Sequence, residues 1–507
     1  MAKKKNNKKN SRKKKLISNI VFKVIAFISI VLMLVFCIYL RKLDMIPGKY
    51  LTIGYIVMAI IYLILLALTL PRNIKMKIKT VAAIFFVIFG TVCILGIKYA
   101  DKTISFVDKI NDELSQKEDY SLRVLADSKL TLDDIENKKI GVYKNDNYDK
   151  VVETLKDTVK KNIEIVDYDD AVEMFEDLQE GKIDAVLING TLNGLLETEL
   201  AYLGLQFNEI GIVSVPVKDS TAETIKVVDV TNTPFNIYIA GGDDYGSINK
   251  VMNTDVNMIA SVDVKNRKIL LTSIPRDYYV ILPSKGEEAY DKLTHAGYYG
   301  IGESMKAIEK LLGIELNYYA KVNFSSIEKV VDAIGGVDIY NEKYIITNDR
   351  SQTYQKGNIH LNGRRALWYA RERSAYSDGD VQRVKNQQKV LDAIIKKISS
   401  SKTLISKYTD ILDAISSSFS TSLDSKSISR IVKIQLNDMK SWTIESQNLV
   451  GHDAMGSCYS MPKYNLYVMK QDPESVKSAS DKIKEFMGEK VSEDNTSEDK
   501  SNENKTN

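Results

Sequence analysis

Histidine and cysteine are scarce in these 507 residues, with three of each. Cys37 and Cys93 fall in long apolar stretches, and Cys458 is the one cysteine that stands outside them, with His295, His360 and His452 scattered along the same part of the chain. That inventory excludes a typical four-ligand zinc site and a disulfide framework. The phosphate loop GxxxxGK[ST] and the nucleophile elbow GxSxG are also absent, so P-loop nucleotide enzymes and α/β-hydrolases have no support. Acidic residues are missing where the chain begins. The first 100 residues hold 18 lysines and arginines and a single acid, Asp44, whereas the rest hold 52 basic and 65 acidic residues. A net negative main part argues against a nucleic-acid partner held by overall charge, and no helix-turn-helix with a basic recognition helix is evident.

Three apolar stretches, at 19–40, 50–70 and 80–97, are each close to the roughly 20 residues a helix needs to cross a bilayer. The first is too long for a signal peptide and has no small-residue cleavage site, and charged flanks speak against buried core helices. The basic run between Lys3 and Lys15, and Arg72, Lys75, Lys77 and Lys79, place the N-terminus and the second loop in the cytoplasm by the positive-inside rule. The expected division is a disordered basic arm (1–18), three transmembrane helices (19–100), a polar helical stalk (101–120), an accessory α/β domain (121–230), a main domain (231–487) and a disordered tail (488–507). Both domains then lie outside the cell, on the plasma membrane.

Hydrophobic patterning predicts an α/β fold: a mixed sheet flanked by helices in the main domain, and a smaller α/β unit before it. In the smaller unit, strands are expected at 139–143, 163–166 and 185–188, with helices at 148–160 and 169–179. Its segments IGVYKND and EGKIDAVLING resemble one lobe of a bacterial solute-binding domain, and they contain no catalytic constellation.

The stretch Leu361–Gln388 carries the strongest chemical signal. Asn362 caps a short helix, after which Tyr369, Arg371 and Arg373 recur at period two, so an extended segment would put both guanidinium groups on one face. A turn leads to Asp380, the cap of a helix with an apolar stripe of Val384, Leu391, Ile394, Ile395 and Ile398. Asp380, Arg383 and Gln387 fall on that same stripe. Burying them costs several kcal/mol unless something anionic or hydrogen-bonding meets them, which predicts a pocket. The competing reading is an internal ion-pair network with Glu372 and Asp380.

Other candidates lie at expected strand ends. Asp243 and Asp255 suit a hard cation, Mg²⁺ or Mn²⁺, completed by water and phosphate oxygens. Arg276 follows a strand end, and Lys292 adds charge nearby. Asp244 and Asp277 read as surface turn residues, and His295 as a structural histidine.

These pieces, GGDDYG, NTDVN, SIPRDYYV, DKLTHAGYYG, DAIGGVDIYN, YARER and GDVQRVKNQQ, resemble the LytR-CpsA-Psr family from Phe235 to about Met487, and the order of spans, accessory domain and main domain is similar to its capsule-type members. The resemblance implies a phosphotransferase that moves a glycopolymer (teichoic acid, capsule or another secondary polysaccharide) from a polyprenyl-pyrophosphate donor to peptidoglycan, with Mg²⁺. It implies metal binding by Asp243 and Asp255, and a pyrophosphate gripped by Arg276, Arg371, Arg373, Arg383 and Gln387. Asp255 and Asp380 are the candidate bases on chemical grounds, although a loose transition state asks little of one. The resemblance also implies an isoprenoid slot between the sheet and the Leu391–Ile398 stripe. Asn253-Thr254-Asp255 stands where the family usually has Arg-Ser-Asp, and Lys385 where an arginine is common. The alternatives are a polyprenyl-phosphate-binding protein, a pyrophosphatase acting as an envelope regulator, or the transcriptional attenuator that such proteins were first described as.

Overall fold

In the computed structural model the described residues are 2–71, 73–111, 117–144, 148–189, 192–193, 204–216, 225–242, 254–347, 350–376, 379–400, 407, 410–411, 414 and 419–489. The expected disordered tail lies almost wholly outside them. The chain divides into two units: residues 1–112 with 399–416 and 424–440, and the remainder.

The first unit is built on the helices Ala2–Leu43, Gly48–Thr69 and Met76–Asn111. Each contains a stretch long and apolar enough to cross a membrane: Ile17–Leu43, Gly48–Thr69 and Met76–Phe106. Small and aromatic residues make their shared core, where Tyr62 packs edge-on against Phe86 with ring centroids 5.4 Å apart. Polar groups inside it are satisfied locally, as lipid requires. Tyr62 donates to the Ala26 carbonyl at 3.0 Å, Ser29 to those of Ile25 and Phe86 at 2.9 and 3.1 Å, and buried Lys79 to Asn19 Oδ1 at 3.3 Å. Two expectations change here. The basic arm continues the first helix, because extending an existing helix needs no new nucleus. The stalk is helical up to Asn111, the last residue described before Lys117, from which the chain is a strand. The same unit takes in the helix Ser425–Asp438, where Lys433 pairs with Asp44 at 2.7 Å and Lys49 donates to the Asn437 carbonyl at 2.8 Å.

In the second unit, the accessory sheet has the strand order Glu164–Tyr168, Lys139–Tyr143, Ala185–Ile188, Lys117–Leu125, Phe207–Pro216. The first three pair in parallel and the last two antiparallel. The helix Tyr148–Val159 covers one face through Val151, Leu155 and Val159. The helix Ala171–Gln179, capped by Asp170, covers the other. The strand Phe207–Pro216 escapes hydrophobic patterning because its partly polar, half-exposed sequence gains order from pairing with Lys117–Leu125.

The main sheet has six strands in the order Phe419–Thr421, Tyr318–Asn323, Phe235–Gly242, Val256–Asp263, Lys268–Ile274, Thr443–Asn448. Two of its neighbouring pairs are parallel and three antiparallel, which makes it mixed. The central strands are buried along nearly their whole length, as helices on both faces demand. One face packs on the helices Ile301–Leu312 and Pro473–Met487 through Ile259, Leu270, Met305, Ile308 and Ile483. The hairpin of Gly451–Cys458 and Met461–Gln471 closes the unit. Pro462 and the alternating polar residues blur its strand pattern in the sequence.

The helix Gly363–Arg371 starts where Asn362 accepts a hydrogen bond from Arg365 N at 3.0 Å. Gly363 N donates to Asp332 Oδ1 at 2.7 Å, and a Cβ at Gly363 would lie 2.8 Å from the Glu328 carbonyl carbon. The close approach of this helix to Phe324–Ala333 therefore needs glycine. Gly363→Ala is expected to destabilise the fold by about 2 kcal/mol through overpacking, read as a lower melting temperature. An unchanged melting temperature would show that the two helices do not pack this tightly.

Candidate functional site

The candidate site is a cleft at the end of the Lys268–Ile274 strand, where the chain runs on through Pro275, Arg276 and Asp277. Strand ends leave backbone groups and side chains unpaired by the sheet, which is where α/β folds place their chemistry. Arg276 donates from Nη1 to Asp255 Oδ1 at 3.1 Å and from Nε to Asp277 Oδ2 at 3.3 Å. Lys292 approaches Asp277 Oδ1 at 3.7 Å. The expectation that Asp277 is a surface turn residue is therefore corrected: its side chain is 14% exposed and bridges two cations. Chain segments lock this arrangement from behind. Thr294 N donates to the Arg276 carbonyl at 2.8 Å, Leu293 N to that of Tyr278 at 2.9 Å, and Met469 N to that of Asp277 at 2.8 Å.

The helix Gly379–Ser399 brings Arg383, Val384 and Gln387 to the same cleft, facing Asp255 and Arg276. Gln388, which sequence reasoning passed over, fixes that helix. Its Nε2 donates to Ser273 Oγ at 2.9 Å, the Gln447 carbonyl at 3.0 Å and Asn448 Oδ1 at 2.7 Å, so it is pinned to the ends of two parallel strands. The helix also corrects the expected apolar stripe. Leu391, Ile394, Ile395 and Ile398 are half-buried, while Asn386, Gln388, Val390 and Ala393 are buried. Asn386 sits there because its Nδ2 donates to the Tyr369 carbonyl at 3.2 Å and the Tyr376 hydroxyl at 3.4 Å. One signal for these residues was available: an Asn and two Gln inside an otherwise core-facing helix.

Not every expected residue lines the cleft. Lys292 is 4% exposed and stands behind Asp277. The period-two reading of Tyr369, Arg371 and Arg373 is corrected, because the helix runs through Arg371 and puts Tyr369 inside and Arg371 outside. The Arg371 guanidinium lies over the Trp368 ring at 5.8 Å, and Arg373 is exposed just beyond the helix. Glu372 accepts from Ala375 N at 2.9 Å. Asp243 and Asn253 lie outside the described residues, as does the side chain of Asp380.

The cleft wall opposite the helix comes from Gly451, Tyr467 and Met469 of the closing hairpin. Deep below it, burial pushes up the hydroxyl pKa of Tyr238, which donates to Asn257 Oδ1 at 2.5 Å, and Asn257 donates in turn to the Thr254 carbonyl at 2.6 Å. This chain of bonds orients the backbone just before Asp255.

Contrary to the sequence inventory, one histidine and the lone cysteine do meet. Asp291, His295 and Cys458 are buried with their ligand atoms within 4.8 Å of one another. They offer three ligands where a closed zinc site needs four. The Asp291 carboxylate is also saturated: it accepts from Lys292 N at 2.8 Å, Ser460 N at 2.7 Å and His295 Nδ1 at 2.7 Å. Burial opposes its ionisation, but His295 and the Ser460 donors hold its carboxyl below the usual carboxylate range. Burial and the neighbouring Asp291 push the Cys458 thiol up, so it stays protonated and unreactive. The cluster is a closed hydrogen-bonded network, with the His295 ring stacked on Tyr298 at 4.9 Å, and the structural role expected of His295 fits it.

Gln388→Leu removes the donor shared by buried Ser273 and the half-buried Gln447 and Asn448, and is expected to cost about 1–3 kcal/mol while loosening the helix that carries Arg383 and Gln387. Lys389→Ala, next in sequence and paired with Glu342 at the surface, is expected to cost less than about 1 kcal/mol. Melting temperatures of the two variants check this, and equal losses would contradict it.

Residues 213–478 match the model of the LytR_cpsA_psr family. Two curated relatives bear the name polyisoprenyl-teichoic acid–peptidoglycan teichoic acid transferase TagU. The one from Bacillus mycoides is 36% identical over 41% of this chain and 66% of its own length. The one from Enterococcus faecalis is 31% identical over 42% of this chain and 71% of its own length. Among solved structures, TagV of B. subtilis is similar at 25% identity with a TM-score of 0.43, covering 51% of this chain and 99% of that one. The family match spans more than half of the 507 residues and contains Asp255, Arg276, Arg383 and Gln387: the chain belongs to the LytR-CpsA-Psr family.

Proposed function

We propose that this chain is a membrane-anchored phosphotransferase that moves a teichoic-acid or capsule-like glycopolymer from a polyprenyl-diphosphate carrier to peptidoglycan. Its N-terminus lies in the cytoplasm and both folded domains lie outside. The observation that carries the reading is the cleft in which Arg276 and Arg383 converge with Gln387 beside Asp255. The transferase names of the teichoic acid relatives support the classes of donor and acceptor.

A diphosphate presents several anionic oxygens, and guanidinium groups bind such oxygens in pairs with good geometry. Arg276 is already aimed by Asp255 and Asp277, so it reorganises little when charge moves onto the departing group. Gln387 adds an uncharged donor from the helix side. A sugar hydroxyl of the wall attacks the glycan-linked phosphorus, a new P–O bond forms, and the bridging P–O bond breaks. Polyprenyl phosphate leaves, and the hydroxyl proton passes to solvent or to an acceptor at the cleft edge. A loose transition state asks little of a base. Arg371 and Arg373, outside the cleft lining, would meet the donor's outer phosphate or sugar.

A divalent cation fits the same edge. Asp255 uses Oδ1 toward Arg276, and its Oδ2 has no hydrogen-bond partner among the described residues. Asp255 with Asp243 would hold Mg²⁺ or Mn²⁺ as hard oxygen ligands. Such an ion supplies charge neutralisation at the diphosphate.

With the full-length protein in detergent micelles, a short-chain polyprenyl-diphosphate glycan and peptidoglycan fragments, glycan is expected to join the wall fragment. Arg276→Ala and Asp255→Ala are each expected to lower kcat/KM by about 100-fold or more. Release of glycan phosphate into water alone would replace this reading with a pyrophosphatase. Tight donor binding without turnover would replace it with a carrier.

A further inference from the structure

The two walls of the cleft are joined by a residue that does not touch it. Asp291 lies behind the cleft, 0% exposed, and ties together two segments that are 169 residues apart in sequence. The first is the Lys292–Thr294 segment. Its backbone bonds to the Arg276 and Tyr278 carbonyls, and Lys292 itself faces Asp277. The second is the Tyr459–Ser460 turn of the closing hairpin, where Ser460 N donates to Asp291, Ser460 Oγ lies 3.1 Å from His295 Nδ1, and Tyr459 N donates to the Tyr290 carbonyl at 2.8 Å.

The hairpin has two faces with different duties. Gly451, Tyr467 and Met469 face the cleft. Cys458, Met461, Leu466 and Val468 are buried in one apolar cluster with Val172 and Phe175 of the accessory domain. At the rim of that cluster Lys463 pairs with Asp170, the cap of the accessory helix, at 2.9 Å. A two-stranded hairpin is marginal by itself, so its position depends on what holds it. Here the holders are Asp291 at the turn and the accessory domain along the back.

We propose that Asp291 is a positioning residue for the transfer reaction, and that the accessory domain acts with it by clamping the Gly451–Gln471 hairpin as the second wall of the diphosphate cleft. The accessory domain thus contributes to donor binding without lending a residue to the cleft. This rests on the transferase reading above. It accounts for a saturated buried carboxylate beside Lys292, and for an apolar core shared between a domain with no catalytic constellation and the back of the cleft wall.

The test uses the full-length protein and four variants: Asp291→Asn, which keeps shape but sets an amide against backbone donors; Ser460→Ala, a milder change at the same node; Lys463→Glu, which turns the hairpin's ion pair with Asp170 of the accessory domain into a repulsion; and Lys463→Arg, which keeps that pair. Hydrogen exchange of residues 451–471 is expected to speed up about tenfold in Asp291→Asn and less in Ser460→Ala and Lys463→Glu, with the strand Val256–Asp263 unchanged. KM for the donor is expected to rise about tenfold in Asp291→Asn while kcat falls less than about threefold. Lys463→Arg should restore wild-type behaviour. If Asp291→Asn does not fold, Ser460→Ala and Lys463→Glu carry the test. Unchanged hairpin exchange, or exchange raised evenly across the domain with KM unaltered, would overturn the proposal. A wild-type protein that transfers no glycan would overturn the transferase reading instead, and the exchange measurement would still decide whether Asp291 holds the wall.

Discussion

The ion pairs of Arg276 with Asp255 and Asp277 are the constraint on which the rest of the cleft depends. A guanidinium in a partly buried cleft has many rotamers open to it, and an unaimed arginine gives up entropy each time it meets an anion. Two carboxylates, one on the approach to the Val256–Asp263 strand and one on the turn after Lys268–Ile274, remove that freedom in advance. They do so only because those strands are antiparallel neighbours in fixed register, with Asn257 opposite Ile274. The sheet thus sets the spacing of Asp255 and Arg276, and the Thr294 and Met469 amides keep the turn from drifting. Lys292, buried behind Asp277, offsets the second acid, so the cleft remains attractive to an anion despite its carboxylates.

The opposite side is set by hydrogen bonds more than by apolar packing. Gln388 grips the ends of the Lys268–Ile274 and Thr443–Asn448 strands, and Asn386 grips the last turn of the Gly363–Arg371 helix and the Tyr376 hydroxyl beyond it. A helix fixed this way cannot slide by a turn without losing several buried bonds at once, each expensive to leave unmade. That rigidity lets Arg383 and Gln387 stand opposite Arg276 at a defined separation. The third side, the closing hairpin, takes its rigidity from Asp291 and from the core it shares with the accessory domain.

Much of this architecture is legible in the chain. Apolar runs locate the three expected strands of the accessory sheet within two residues, and Asn362 marks a helix start as its chemistry requires. Polar residues on the core side of the Gly379–Ser399 helix point to a pocket through their pattern alone. What escapes is information held between distant segments. The ion pairs of Asp277 depend on a lysine 15 positions on, and the meeting of Asp291 and His295 with Ser460 and Cys458 on a contact across the whole main domain. Tyr369 and Arg371 mislead because an aromatic beside arginines at alternate positions looks extended, whereas Asn362 and the Asp332 contact to Gly363 commit the segment to a helix. Locally polar strands such as Phe207–Pro216 and Gly451–Cys458 become strands through their partners.

The central claim is that this cleft recognises a diphosphate. The most direct measurement is calorimetric binding of short-chain polyprenyl diphosphate, monophosphate and free alcohol to the full-length protein in micelles, with and without Mg²⁺. The account predicts that the diphosphate binds at least about tenfold more tightly than the monophosphate, that Mg²⁺ strengthens the difference, and that the alcohol binds weakly. Equal affinity for all three would mean that the site holds the isoprenoid chain alone, and would contradict the role given to Arg276, Arg383 and Asp255.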